Sequence, residues 1–314
     1  MNANKSGEAL INTPLQRGGG ARDNVQNRFN GFPPNPCFVR STRDLQLPLA
    51  QRTAAFTLVE CLAIVAILSL LFATLVPGLS RSQPRGQALR CLNNLRQLTL
   101  AWVTYAADSN DTLAINSFGP EGVGNWIQGT MDWGTTRDNT NTVLLTDPRN
   151  AKLAPYFGRT PGLFKCPADT YLSSMQGTLG WKQRVRSISM NAGVGAGSGK
   201  QVYVPPLRII ERLSELNDPR PEGTWVLADE QADSINDPCL LIRPVSPESY
   251  NWIDLPAAYH SSAGSFSFAD GHVELKKWRD SRTLLRPTMS AYYVTSCPNS
   301  PDFQWLVERT PRWH

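Results

Sequence analysis

The chain has 314 residues, of which 41% are hydrophobic and 18% are charged, a composition that excludes a fully disordered protein. Its 23 glycines and 24 prolines exclude a collagen-like repeat but predict many turns. The formal net charge is +5, and most of this excess lies in residues 1–55. The remaining residues are close to neutral, which argues against a nucleic-acid partner.

Residues 1–55 have the composition of a leader. They contain a Gly-Gly-Gly run, a Pro-Pro pair and scattered arginines, and they show no lasting apolar period. We therefore expect this segment to form no domain and to be removed from the mature protein.

An apolar run follows at residues 56–79, and Glu60 is its only charged residue. As a helix, residues 56–76 would be about 32 Å long, against about 30 Å for the hydrocarbon core of a bilayer. The sequence thus predicts a transmembrane helix over residues 56–80, with a buried core helix as the alternative. The run is longer than the apolar region of a secretory signal peptide, and no small-residue cleavage site follows it.

The sequence AAFTLVE at residues 54–60 resembles the type IV prepilin signal. This resemblance implies that a prepilin peptidase cuts between Ala55 and Phe56, that Phe56 is N-methylated, and that the apolar helix is retained. It also implies that Glu60 neutralises the terminal amine of a neighbouring subunit and that Pro77 bends the helix. The alternative for Glu60 is a carboxylate that lies at the depth of the lipid headgroups.

Residues 81–108 predict an amphipathic stalk helix. Apolar or small side chains recur there at spacings of three and four. The members of this stripe are Leu89, Leu92, Leu95, Thr99, Trp102 and Ala106. We expect the stripe to pack against the rest of the protein, the alternative being a coiled-coil face. A polar turn at residues 108–111 should end the helix.

Residues 109–314 predict a turn-rich head with an antiparallel β-sheet, because short apolar runs alternate with Gly, Pro, Asn and Asp. Strands are predicted at residues 223–228, 265–268 and 272–275. The last two form a hairpin across Asp270 and Gly271. A short helix is predicted at residues 209–216.

Residues 260–272 fit an H-x9-DG pattern, with His260 as the histidine and Asp270-Gly271 as the DG pair. Together with the blocks CLNNLRQL at residues 91–98 and FKCPAD at residues 164–169, this pattern resembles a family of bacterial pilin-like proteins. That family is similar to the pseudopilins of type II secretion systems.

The resemblance implies an α+β, pilin-like fold in which a long N-terminal helix, transmembrane and then amphipathic, packs on the antiparallel head. It implies a single-pass inner-membrane subunit, not an enzyme, whose head lies in the periplasm or at the cell surface. Its partners would be other pilin or pseudopilin subunits in a pseudopilus or pilus. One alternative is a tethered binding module that never polymerises and that could depend on a metal. The other alternative is a tethered enzyme.

The head also offers candidate metal ligands. His260, Asp270 and His272 are expected to approach one another across the hairpin, and Asp229 and Glu230 add carboxylates. Two histidines with carboxylates suit zinc, and carboxylates with loop carbonyls suit calcium. Structural bracing of the hairpin and catalysis are the two alternatives, and no other cofactor is expected.

Four cysteines lie in the predicted periplasmic part: Cys91, Cys166, Cys239 and Cys297. An oxidising compartment would allow two disulfides among them, with three pairings. Because Cys91 and Cys166 both fall in blocks that carry the family resemblance, the resemblance implies a disulfide between them. The alternative is a set of buried free thiols.

Overall fold

The computed structural model describes residues 56–117, 124–195, 207–292 and 294–312, with the backbone alone for residues 73–82. The expected leader and Ala55 lie outside the described residues. The first element is the helix α1, Leu58–Asp108, of 51 residues. It continues through Pro77 and Pro84, so neither proline ends it. It stops at Asp108, where the polar turn was predicted.

Three short α-helices follow: α2 (Val143–Thr146), α3 (Ser174–Thr178) and α4 (Pro301–Val307). The strands are β1 (Ile188–Asn191), β2 (Trp225–Asp229), β3 (Cys239–Leu240), β4 (Asn251–Trp252), β5 (Ala263–Phe268), β6 (Val273–Lys277) and β7 (Thr295–Ser296). Single 3-10 turns lie at Arg137–Asn139, Ala154–Tyr156, Pro161–Phe164, Leu213–Glu215, Pro221–Gly223 and Pro247–Ser249.

The main sheet has the strand order β3-β1-β2-β5-β6, and β4 and β7 form a separate pair. β2 pairs antiparallel with β1 and β5, and β5 pairs antiparallel with β6, but β1 and β3 are parallel. The prediction of an antiparallel sheet is therefore wrong. After β2, residues 230–238 pass the end of β1 and start β3 on its far side, so β3 runs opposite to β2 and alongside β1.

The prediction of a transmembrane helix over residues 56–80 is also corrected. Within the residues that the structure describes, no helix combines the length and the apolar character needed to cross a membrane. The exposed apolar side chains described at the start of α1 end at Phe72, and from Gln83 onward polar residues interrupt the apolar ones. The predicted fold class thus fails for the membrane-spanning helix and for the sheet type, while an α+β architecture remains.

The second half of α1 lies on the main sheet. Its buried side chains recur every three or four residues, as one face of a helix requires. They include Ala88, Cys91, Leu95, Leu98, Thr99, Trp102 and Ala106. The predicted stripe is confirmed from Leu95 to Ala106. Leu89 is instead 67% exposed, because it lies one residue beyond Ala88 and so points about 100° away around the helix.

β5 forms the centre of the core because its two faces meet different layers. Ser265 and Ser267 face α1, while Phe266 and Phe268 face a second cluster of buried aromatic residues around α4. The hairpin of β5 and β6 is confirmed, with Gly271 at φ +91° in its turn. The helix predicted at residues 209–216 is reduced to the single 3-10 turn Leu213–Glu215.

Candidate metal centre

Four side chains that are distant in sequence meet between α1 and the main sheet: Cys91, Cys166, Asp229 and His260. All four are buried, and their ligand atoms lie within 4.8 Å of one another. Two of the donors are sulfurs, one is an imidazole nitrogen and one is a carboxylate oxygen. This group, called the metal centre below, could hold a metal ion.

A different element positions each of the four residues. Cys91 lies on the buried face of α1, one turn before Leu95. Cys166 follows the 3-10 turn Pro161–Phe164, and Asp229 is the last residue of β2. His260 begins the tight turn before β5, where its backbone N–H donates to the carbonyl of Ala263 over 3.1 Å.

The four side chains are in mutual contact. The Cys91 thiol donates to Asp229 Oδ2 over 2.6 Å. Cys166 Sγ lies 3.3 Å from His260 Nε2, and the same nitrogen lies 3.8 Å from Asp229 Oδ2. In a tetrahedral zinc site with bonds of about 2.0–2.3 Å, neighbouring ligand atoms are about 3.3–3.8 Å apart. The side chains therefore need only small adjustments to surround one ion.

Two buried serines support the ligands from outside the cluster. Ser265 on β5 donates to Asp229 Oδ2, and its Oγ lies 3.0 Å from Cys91 Sγ. Ser187 Oγ accepts from the backbone N–H of Cys166 over 2.7 Å and lies 3.4 Å from Asp229 Oδ1. Such outer partners fix the orientation of metal ligands.

The electrostatics of the metal centre favour a cation. Burial raises the pKa of the Cys91 thiol well above its usual value, and Cys166 and Asp229 add to this rise. Hydrogen bonding from Cys91 lowers the pKa of Cys166, and His260 contributes in the same direction. Burial would lower the pKa of His260, but its hydrogen bonds with Asp229 and Cys166 raise it to about 9. The imidazolium supplies the positive charge that Asp229 faces, and a bound metal ion would replace it.

The same geometry argues against a Cys-His-Asp catalytic triad. In such a triad the nucleophile and the carboxylate bind opposite nitrogens of the imidazole ring. Here Cys166 and Asp229 both approach Nε2 of His260. Cys166 is also fully buried, which is unlike a nucleophile that lies at the surface of an active-site cleft. The arrangement of the four side chains is compatible with metal ligation.

The structure brings only part of the predicted metal set together. His260 and Asp229 belong to the metal centre, but Asp270 and His272 lie at the other end of β5, about 20 Å along the strand at ~3.4 Å per residue. There the Nδ1 of His272 lies 2.6 Å from Asp270 Oδ1, and both residues are exposed. The two ends of the H-x9-DG pattern are therefore kept apart by the strand between them.

Glu230 is buried next to Asp229 in sequence but does not join the metal centre. Its Oε1 accepts from Ser234 Oγ over 2.7 Å. Burial raises the pKa of Glu230 well above its usual value, with a further rise from Asp254. Successive residues of an extended chain point to opposite faces, which explains why Asp229 faces α1 and Glu230 does not.

Sequence reasoning missed Cys91 and Cys166 as candidate metal ligands. Both were expected in a disulfide with each other, but in the structure both are free cysteines. Their sulfur atoms lie within the 4.8 Å cluster of ligand atoms. The sequence did contain a signal that Cys91 is buried. Cys91 precedes Leu95 by four residues, and residues four apart lie on the same face of a helix, so Cys91 lies on the side of α1 that faces the sheet.

The residues of the predicted processing and assembly signal are only partly described. Glu60 accepts from the backbone N–H of Thr57 over 2.8 Å, while Thr57 Oγ1 accepts from the backbone N–H of Glu60 over 3.3 Å, forming a capping box at the start of α1. Phe56 is 70% exposed. Of Pro77 only the backbone, within α1, is described.

Comparison with protein-family models, with curated proteins and with solved structures finds no match to this chain.

Proposed function

We propose that the metal centre holds a structural zinc ion that fastens α1 to the head, and that the chain acts as a pilin-like assembly subunit. The zinc proposal rests on one observation, the convergence of four buried ligand atoms from four separate elements. Two thiolates and an imidazole suit zinc, whereas calcium and magnesium prefer a shell of oxygen ligands.

The burial and number of the ligands support a structural role for the ion. Four protein side chains complete a tetrahedral shell, whereas a catalytic zinc site keeps a position open for water or substrate. Because Cys91 belongs to α1 and Asp229 to β2, a shared ion would join the helix to the sheet. Binding would therefore add directly to the stability of the docked helix.

Metal analysis of the purified full chain tests the zinc proposal. We expect one zinc per chain and a lower melting temperature after chelation. At a zinc concentration 1,000 times the Kd, binding adds about 4 kcal/mol, and each kcal/mol shifts the melting temperature of a chain of this size by about 2–4 °C. The expected loss is thus about 8–16 °C.

Matched variants make this test specific. Cys166→Ala should remove the zinc and the response to chelator. Cys239→Ala should keep both, because Cys239 is buried elsewhere, with its thiol donating to Asn116 Oδ1 over 3.1 Å. A wild-type chain that contains no zinc and gains no thermal stability when zinc is added would overturn the proposal.

The assembly proposal is supported by the two environments of α1. Residues 58–72 are exposed and largely apolar, whereas the same helix is buried on the sheet from Ala88 onward. An exposed apolar surface of this extent is typical of an interaction site. The proposed partners are copies of this chain or related subunits, assembled at the inner membrane with the head in the periplasm or at the cell surface. A prepilin peptidase would expose the Phe56 amine for pairing with Glu60 of a neighbour.

Crosslinking through Cys61 tests the assembly proposal, because Cys61 is exposed beside Glu60. Cys37, the one cysteine of the expected leader, is first replaced by serine. In cells that produce this Cys37→Ser chain, a short bismaleimide should link Cys61 residues of different copies. Glu60→Ala should abolish this crosslink. Thr57→Ala disrupts the same capping box but keeps the carboxylate, so it should crosslink as the wild type does.

Two results would refute the assembly proposal: Glu60→Ala crosslinks as well as the wild type, or the wild type gives no crosslink. N-terminal sequencing of the mature chain tests the processing step. The expected first residue is Phe56, and a mature chain that retains the residues before it would contradict cleavage at this site.

A further inference from the structure

We propose that Cys91 and Cys166 form a redox-exchangeable pair, in which oxidation to a disulfide expels the zinc ion and takes over its role in fastening α1 to the head. This inference rests on the proposed zinc function. It adds a covalent modification of the same site by a small disulfide-containing oxidant.

The arrangement of the cysteines singles out this pair. The Sγ atoms of Cys91 and Cys166 lie within the 4.8 Å cluster of ligand atoms. The other described cysteines lie elsewhere: Cys61 is exposed on α1, the thiol of Cys239 bonds to Asn116, and Cys297 is buried in the aromatic cluster on the opposite face of the sheet. A disulfide bond needs the two sulfurs to approach to about 2.05 Å, which is a local movement at this site.

Zinc ligation would keep both sulfurs in their reactive form, because a coordinating thiol is deprotonated. The thiolate is the species that attacks a disulfide. We expect Cys166 to react first, since it lies in a loop, whereas Cys91 is held within α1. A pocket of about 490 Å³ lies beside the metal centre and is lined by Ala168, Tyr259 and Ser262, among others. Cys166 itself is fully buried, so the oxidant reaches the thiolate when the loop that carries Cys166 opens locally.

The exchange balances with glutathione disulfide as the oxidant. The Cys166 thiolate attacks one sulfur of glutathione disulfide, and the first glutathione leaves and takes up a proton. The Cys91 thiolate then attacks the Cys166 sulfur of the mixed disulfide, and the second glutathione leaves and takes up a proton. The two cysteines lose two electrons, the oxidant gains them, and Zn²⁺ departs with its charge unchanged. Asp229 and His260 remain as only two of the four ligands.

The physical consequence is that α1 stays fastened in both states. Zinc joins α1 to the sheet and to the loop that follows Pro161–Phe164, and the disulfide joins α1 to that same loop by a covalent bond. A head matured without zinc in an oxidising compartment would therefore keep α1 docked. Oxidation of the pair thus replaces one link between α1 and the head with another and does not release the helix.

The test uses the zinc-loaded full chain with Cys37→Ser and Cys61→Ser, so that only Cys91, Cys166, Cys239 and Cys297 remain. Glutathione disulfide is added together with a chromogenic zinc chelator. We expect the release of one zinc and two glutathiones per chain, and a peptide map in which Cys91 is linked to Cys166. Dithiothreitol with added zinc should restore the starting state. Adding Cys239→Ser should change none of these values.

The results separate this inference from the proposed function. A chain that contains zinc but retains it under oxidant, or that forms no Cys91–Cys166 link, overturns the redox inference and leaves the zinc centre standing. A chain without zinc overturns the zinc centre itself. His260→Ala removes one ligand while keeping both thiols, so it should hold zinc poorly and still form the disulfide. Failure of this variant to form the link, despite a wild-type circular dichroism spectrum, also counts against the pair.

Discussion

Ser265→Ala gives the most direct test of how the metal centre is built. Ser265 is fully buried on β5, donates to Asp229 Oδ2 and lies 3.0 Å from Cys91 Sγ. It therefore touches two of the four ligands without being a ligand itself. The alanine keeps the shape of the strand and removes only the hydroxyl group.

Losing an outer partner of this kind typically lowers metal affinity by about 10–100-fold, which corresponds to about 1.4–2.7 kcal/mol. We expect a value near the upper end, because one hydroxyl orients two ligands and Ser265 has 0% exposure, so water cannot take its place. The measurement is a competition titration of the full chain against a chromogenic zinc chelator at pH 7.

Ser267→Ala is the matched control, since Ser267 lies two residues further along β5, on the same face and equally buried. Its Oγ accepts from Thr99 Oγ1 over 2.6 Å, away from the metal centre. Its loss should lower the free energy of unfolding by about 1–3 kcal/mol, because the Thr99 hydroxyl loses its acceptor, and leave zinc affinity unchanged. Equal zinc affinities in wild type and Ser265→Ala, or equal losses in both variants, would refute the reasoning.

Three further outcomes follow from the described contacts. Burial raises the pKa of Asp254 to about 7. Between about pH 4 and 7 the folded state therefore keeps a proton on Asp254 that the unfolded state has lost, and stability falls as the pH rises through that window. Asp254→Asn should raise the melting temperature at pH 8 and change it little at pH 5, and the same difference between variant and wild type at both pH values would contradict this. Gly264→Ala should destabilise the head by about 1–3 kcal/mol in denaturant titrations, because the added Cβ would lie 2.7 Å from the carbonyl oxygen of Ala257. Gly162→Ala is the control and should be tolerated, because a Cβ at Gly162 would meet nothing within 4 Å. Zinc chelation should speed amide hydrogen exchange more at residues 88–95 of α1 than at residues 99–106, and a uniform change would show that the ion does not act locally.

Local patterns in the sequence predicted much of the head. The spacing of Leu95, Thr99, Trp102 and Ala106 gave the docked face of α1, and the turn at Asp270-Gly271 gave the hairpin of β5 and β6. These features depend on residues close together in the chain. The parallel pairing of β3 with β1 could not be predicted in this way, because it depends on how residues 230–238 cross the end of the sheet.

The metal centre shows the same limit. His260 and Asp229 were candidates because of their residue types, but their partners were sought in the nearby Asp270, His272 and Glu230. The actual partners are Cys91 and Cys166, which precede Asp229 by 138 and 63 positions along the chain. Tertiary packing of α1, the sheet and the loop that carries Cys166 brings them together. Ser265 and Ser267 are polar residues within a predicted buried strand. Because buried hydroxyl groups need hydrogen-bond partners, they indicated that polar groups of another element pack against this face of β5.

The position of the metal centre along α1 gives a physical reason for its existence. A docked helix detaches from its end, and Ala88 and Cys91 are the first fully or nearly fully buried residues of the docked half. Any pull on the exposed residues 58–72 by a neighbouring chain would act first on this turn. Leu95, Leu98 and Trp102 hold the middle of the helix by apolar burial, but Ala88 and Cys91 are small and bury little area. A metal ion or a disulfide at Cys91 would thus strengthen the docked helix at the turn where packing alone contributes least.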